Sequence, residues 1–217
     1  MEADDRIRSR RAAARSIVGV SVLGAGFAVL AVLVALEPPD PPLLGGIDRA
    51  WRDLALDAPA WAEALSEWLK TLGAGLVMVS LRVGVGLWLF ARRRYAALAT
   101  WLLAWAVADV VTFGLKPGIG RLRPDGVSAS SFPSGHAKTA AQVAVGLALL
   151  VAGSWRRQAA AWTLALAWIV AMAVSRTVLD EHWLSDVAAG SMLGAACAVG
   201  SAWIVGRAVE RRRERAA

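Results

Sequence analysis

Apolar residues along this 217-residue chain fall in long runs separated by short charged stretches. Ser16–Leu36 is 21 residues without a charge. As a helix it reaches about 31 Å at ~1.5 Å per residue, enough for a hydrocarbon core of ~30 Å. Five further runs read the same way: Thr71–Ala91, Tyr95–Leu115, Thr139–Ser154, Gln158–Val174 and Val187–Gly206. The pattern predicts an all-α polytopic membrane bundle of six transmembrane helices. A cleaved signal peptide would share the basic "RIRSRRAAAR" that precedes the first run, but this apolar stretch is too long for an h-region, so it is read as a retained span.

Residues 37–70 break the pattern. They open with "EPPDPPLLGG", too rich in Pro and Gly for regular structure. Trp51, Leu54, Ala58, Trp61, Leu65 and Trp68 then recur at steps of three and four, with acids on the other face. Pro59 divides this stretch into two helical pieces and suits the first turn of the second. The segment reads either as an amphipathic element lying on the membrane surface with Trp anchors, or as a short helix capping the bundle.

Composition agrees, at 57% hydrophobic residues and a mean hydropathy of +0.51. A net charge of +7 would raise nucleic acid as a partner in a soluble protein, but its distribution points instead to topology signals and anionic headgroups. The N-terminus, "ARRRY", "SWRRQ" and "RAVERRRERAA" together hold 15 of the 24 Lys and Arg. The positive-inside bias puts those four places, and both termini, in the cytoplasm. The predicted organisation is a basic N-terminus (1–15), a six-span domain (16–206) and a basic tail (207–217), with 37–70 and the candidate chemistry of 116–186 at the extracytoplasmic face. Cys197 is the single cysteine, which excludes a disulfide framework and Cys-based zinc sites, and it reads as a small packed residue. Arg82 and Asp109 lie inside predicted spans. Each would cost ~2.5–3.5 kcal/mol at a bilayer centre, so they are expected to face the bundle and pair structurally.

The unusual stretch is "SRTVLDEHWLSDVAAG", residues 175–190, which holds an Arg, three acids and one of only two histidines. "KPGIGRLRP" (116–124) and "PSGH" (133–136) fall on the same predicted face. Lys116, Arg123 and Arg176 are cationic donors, Ser134 and the backbone at Gly135 neutral ones, and together they suit the oxygens of a phosphoryl group. Two separated histidines are too few for a zinc or two-metal centre, so fixed cations are expected to replace a metal and no cofactor is expected. Asp186 follows His182 at i+4. On a helix that puts the carboxylate on the same face as the imidazole, where it would fix the tautomer while the other ring nitrogen attacks phosphorus. His136, in a different loop, is then free to protonate the leaving oxygen. Lys138, Asp180 and Glu181 read as solvated neighbours.

The pattern Lys, six residues, Arg-Pro, then Pro-Ser-Gly-His, then Ser-Arg, five residues, His, three residues, Asp resembles the three-part signature of the type 2 phosphatidic acid phosphatase superfamily. Lys116, Arg123 and Pro124 match the first part, Pro133–His136 the second, and Ser175, Arg176, His182 and Asp186 the third, without a departure. The resemblance implies a metal-independent lipid phosphatase with a phosphohistidine at His182 supported by Asp186. It implies His136 as general acid and then base, and Lys116, Arg123, Ser134, Gly135 and Arg176 as the phosphate site. The expected partners are a lipid phosphate or diphosphate and membrane lipids, with no nucleic acid; the sequence carries no signal of oligomeric state. Undecaprenyl diphosphate, phosphatidic acid and phosphatidylglycerol phosphate are the candidate substrates. Competing readings are a phosphotransferase using the same site, a vanadium haloperoxidase, a lipid phosphate transporter and a non-catalytic lipid-binding protein.

Overall fold

The computed structural model describes residues 2–36, 44–73 and 75–216, with side chains from Ile17 onward, and all regular structure among them is helical. Eight helices follow in order: α1 (Glu2–Leu36), α2 (Leu44–Leu56), α3 (Ala60–Gly73), α4 (Gly75–Ala91), α5 (Tyr95–Ile119), α6 (Gly135–Leu150), α7 (Trp155–Val178) and α8 (Leu184–Ala216). Among the described residues, α1 from Ile17, α5, α7 and α8 are long and apolar enough to cross a membrane. The α3–α4 pair, bent by 49°, makes a fifth span if taken as one.

Of the helices that match the predicted runs, α6 is the shortest. Its 16 residues reach about 24 Å, short of the ~30 Å core. The helix begins at Gly135 and ends at Leu150 instead of running Thr139–Ser154. Ala137 to Val145 are all buried, because α7 and α8 cover the helix. Surrounded by protein, it carries Lys138, Thr139 and Gln142 where a lipid-facing helix would carry aliphatics.

α8 is the central helix, packed against α1, α5 and α6. Two glycines set its closest crossing. A Cβ on Gly190 would stand 2.5 Å from the Ser134 carbonyl oxygen, and one on Gly194 would overlap the Lys138 carbonyl oxygen. Small residues four apart let the two backbones meet, as in membrane helix pairs generally. Elsewhere α8 packs Leu193 and Cys197 against Ala108 of α5, where Cys197 is the small buried residue expected.

α2 and α3 break at Pro59 as predicted, and the Pro59 carbonyl accepts from Ala62 N–H at 2.8 Å. Leu44 to Gly46 belong to the first turn of α2, which corrects part of the irregular opening; residues 37–43 lie outside the described residues. Gly45 is buried there, so tertiary packing overrides its poor helix propensity. The polarity of the pair is inverted relative to a soluble protein. Leu54, Trp61 and Trp68 are 67%, 70% and 72% exposed, while Asp48 and Ser66 are buried against the bundle. The apolar face thus points away from the protein, and the polar face caps the bundle, the second of the two expected uses of the segment.

Candidate active site

The connection between α5 and α6 carries the first cluster. α5 ends on Gly120, whose φ of +59° lets its N–H return to the Lys116 carbonyl at 3.1 Å, a left-handed terminus that glycine adopts without strain. The loop then holds itself. Arg123 N–H donates to Ser128 O at 2.9 Å, Ser131 N–H to Arg121 O at 3.0 Å, and the Lys116 ammonium to Ser130 O at 2.5 Å. Phe132 stacks on Phe27 of α1 at 6.4 Å, anchoring the loop just before Ser134. Among the described residues neither Lys116 nor Arg123 has a carboxylate partner, and the Arg123 Nε is buried without a hydrogen bond. Donors left in that state favour an oxyanion.

The third cluster closes over the first. Arg176, at the end of α7, is 0% exposed; its Nη1 donates to Glu181 at 3.0 Å, Nη2 to Ser66 O at 3.1 Å and Nε to Ser175 Oγ at 3.2 Å. Asp180 adopts φ +56° and receives both arms of the Arg52 fork at 2.6 Å. His182 lies in the turn before α8, not on a helix as its spacing to Asp186 suggested. A reciprocal cap brings the pair together instead. Asp186, in the first turn of α8, accepts from Trp183 N–H at 3.0 Å, the geometry of a capping box, and its Oδ2 then stands 3.7 Å from His182 Nδ1. Ser131 Oγ donates to the same carboxylate oxygen and lies 3.4 Å from Nδ1. With Nδ1 turned to Asp186, Nε2 is the free ring nitrogen.

The second cluster opens α6. Ser134 is its N-cap, and Ser134 N–H donates to the Asp186 carbonyl at 3.1 Å, which ties "PSGH" to the His182 turn. The first amides of a helix have no carbonyl a turn before them, so the Gly135–His136 backbone is an anion-binding terminus. The His136 ring lies against Gly73, where a Cβ would come within 2.9 Å of Cδ2. Burial, then the nearby Arg176 charge, push His136 from 6.5 down to about 4, with Glu181 pulling the other way. Burial also lowers His182, and Arg123 and Lys116 add to that while Asp186 opposes it. Both imidazoles are therefore neutral at neutral pH.

All eight residues singled out by sequence gather at this end of the bundle. Sequence reasoning missed several others. Arg121 bridges Asp186 (2.7 Å), Ser185 Oγ (2.6 Å) and Asp48 (2.7 Å), and these two carboxylates raise its pKa against the cost of burial. Lys70 pairs with Glu181 at 2.7 Å, so Glu181 titrates below its usual range despite burial. Asp180, Glu181 and Lys138 are thus corrected from solvated charges to buried or half-buried partners. Lys138 joins Asp109, whose other oxygen meets Arg82 at 3.4 Å, and Arg82 also donates to Gln142 and Thr139. The only sequence signal for Arg121 was its place inside "GRLRP"; Asp48 is 73 residues away and gave none. Among the described residues no three His, Cys, Asp or Glu side chains gather as a metal site requires.

Known proteins share these features. An 81-residue stretch is 42% identical to the lipid A 1-phosphatase of Porphyromonas gingivalis, covering 36% of this chain but 17% of that protein. The crystal structure of a transmembrane PAP2 type phosphatidylglycerolphosphate phosphatase from Bacillus subtilis superposes with a TM-score of 0.72 at 25% identity, covering 88% of this chain and 96% of that one. Aquifex aeolicus LpxE shares the fold at a TM-score of 0.59 and 20% identity, over 76% and 98% of the two chains. The model of the PAP2 superfamily matches residues 97–210, more than half of the chain and all three clusters, and this membrane protein belongs to that superfamily.

Proposed function

We propose that this chain hydrolyses a phosphomonoester or diphosphate on a membrane lipid through a phosphohistidine at His182. The observation that carries the reading is one end of the bundle where His182, its Nδ1 facing Asp186, lies near Lys116 and Arg123, two cations without carboxylate partners among the described residues, and near the α6 terminus bearing His136. Nε2 attacks phosphorus and the P–O bond to the lipid breaks. His136, as imidazolium, gives its proton to the leaving oxygen; it then takes one from water, whose oxygen attacks phosphorus and breaks the P–N bond. Inorganic phosphate and neutral His182 remain. Lys116, Arg123, Arg176, Ser134 and the Gly135 amide hold the phosphoryl oxygens through both steps. Burial is the main cause that holds His136 neutral, and a bound phosphate dianion offsets the Arg176 and Arg123 charges that add to it, so substrate itself favours the imidazolium.

The surroundings suit a lipid. The outward Trp61 and Trp68 support a site at headgroup depth. An apolar groove of about 330 Å³ between α4, α6 and α7, lined by Met78, Leu81, Val143, Leu147, Leu164 and Trp168, suits an acyl or prenyl tail. Met78 is five residues from Gly73, which touches His136. The Arg92–Arg94 and Arg156–Arg157 turns and the C-terminal tail lie at the other end of the helices, so the positive-inside bias makes the site extracytoplasmic and both termini cytoplasmic. The test is phosphate release by purified protein in detergent, with chelator, from lipid A 1-phosphate, phosphatidylglycerol phosphate, phosphatidic acid and undecaprenyl diphosphate. Release from at least one by wild type and none by His182→Ala is expected. No release from any, or equal release by the variant, overturns the reading.

A further inference from the structure

We propose that Asp48 of α2 is a positioning residue for His182, acting through Arg121 and Ser185 on Asp186. The inference rests on the phosphohistidine reading above and adds a residue from outside both the three motifs and the family match. Asp48 is 2% exposed, and its hydrogen bonds among the described residues all go to Arg121 and Ser185, beside the catalytic turn. Its Oδ1 accepts from Ser185 N–H at 2.9 Å, and its Oδ2 from Ser185 Oγ at 2.6 Å and Arg121 Nη2 at 2.7 Å. Arg121 Nη1 reaches Asp186 Oδ1 at 2.7 Å, while Asp186 Oδ2 faces His182. One guanidinium therefore joins two carboxylates, and a rigid fork is the group suited to bridge them.

The arrangement divides labour between the acids. A carboxylate that supports an attacking imidazole must stay anionic and keep an oxygen for the ring. Arg121 alone would hold Asp186 anionic but would also draw its charge away from His182. Asp48 neutralises Arg121 from the far side, so Asp186 stays oriented and its field remains available to the ring. The charged groups around His182 are Lys116, Arg121 and Arg123 on the α5 side, His136 on α6, Arg176 at the end of α7, its partner Glu181 in the turn before α8, and Asp186 on α8. Removing the Asp48 charge makes this surrounding more positive by one.

The chain has two histidines, so ring-nitrogen NMR of ¹⁵N-histidine protein in lipid nanodiscs gives two sets of signals, assigned with His136→Gln. Wild-type His182 is expected as the Nδ1–H tautomer. In Asp48→Asn its titration midpoint is expected to fall by about half a unit or more. In the lipid phosphatase assay kcat is expected to drop about tenfold or more with KM within about twofold, and Asp48→Glu to recover part of kcat. A merely structural Asp48 would lower the yield of folded protein and leave the His182 midpoint and tautomer where they are; that result overturns the proposal. Should Asp48→Asn not fold, Arg121→Lys, which keeps the charge but loses the fork, carries the test: altered His182 signals support the link and wild-type signals overturn it. If wild type releases no phosphate yet His182 responds to Asp48→Asn, the positioning link stands and the phosphatase reading falls.

Discussion

Two ionic clusters are buried in this bundle, and they use the same ingredients differently. In the middle, Arg82 of α4 and Lys138 of α6 both converge on Asp109 of α5, with Gln142 and Thr139 completing the Arg82 contacts. At the site end, Arg121 and Arg176 are matched to Asp48, Asp186 and Glu181, while Lys116 and Arg123 meet no carboxylate among the described residues. Both clusters carry excess positive charge. In the middle one that charge is spent on a carboxylate linking three helices; at the end it is left facing two neutral imidazoles and a helix terminus. Charge inside a membrane protein therefore signals chemistry most clearly where it is left without a carboxylate to offset it.

The sharpest break of that comparison is at the two acceptors. His182→Ala is expected to lower phosphate release by more than about 10³-fold, whereas Asp109→Asn lowers the rate per folded molecule by less than about tenfold. A comparable loss in Asp109→Asn would erase the distinction. Arg123→Gln comes next, with about a 10²-fold fall in kcat, because it removes an oxyanion donor that no protein group shares. Steady-state kinetics beside Arg82→Gln, expected to act on stability and not on kcat, decides it. Asp109→Asn in turn strands two buried cations, and thermal unfolding in detergent should show a loss of about 3–5 kcal/mol.

A smaller effect separates the clusters by pH. His136 is held near 4 in the folded protein against 6.5 unfolded, so the unfolded chain takes up a proton first as the medium is acidified. Stability is full above about 6.5 and declines as pH falls toward 4, and His136→Gln should flatten that part of the unfolding profile. The smallest effect is expected from Trp61→Ser with Trp68→Ser, two exposed side chains on the outward face of α3. Turnover of a short-chain substrate in detergent should change by less than about twofold, and activity on bilayer substrate by a few-fold.

Much of the site was legible because its chemistry is packed into three short segments, each at the end of an apolar run. What escaped was held by residues whose partners are distant in sequence. Asp48 looked like one more acid on a surface helix until α2 folded back onto α8 and Arg121. His182 and Asp186 were brought together as the spacing suggested but by a cap, because the helix begins two residues later than His182. The bounds of α6 shifted toward the N-terminus because Ser134 caps it and Ala137 to Val145 pack against protein, which hydropathy does not report.

The sequence by itself determined the apolar runs, the basic stretches between them, the break at Pro59 and the residue types suited to grip and attack a phosphate. All of these depend on local composition, which a bilayer reads one segment at a time. The tertiary structure decided which charges are consumed and which are left for a ligand, and which face of α2 and α3 meets the protein. Those outcomes depend on pairing between helices far apart along the chain. Gly190 and Gly194 let α6 approach α8, so that "PSGH" and the His182 turn share one hydrogen-bonded end.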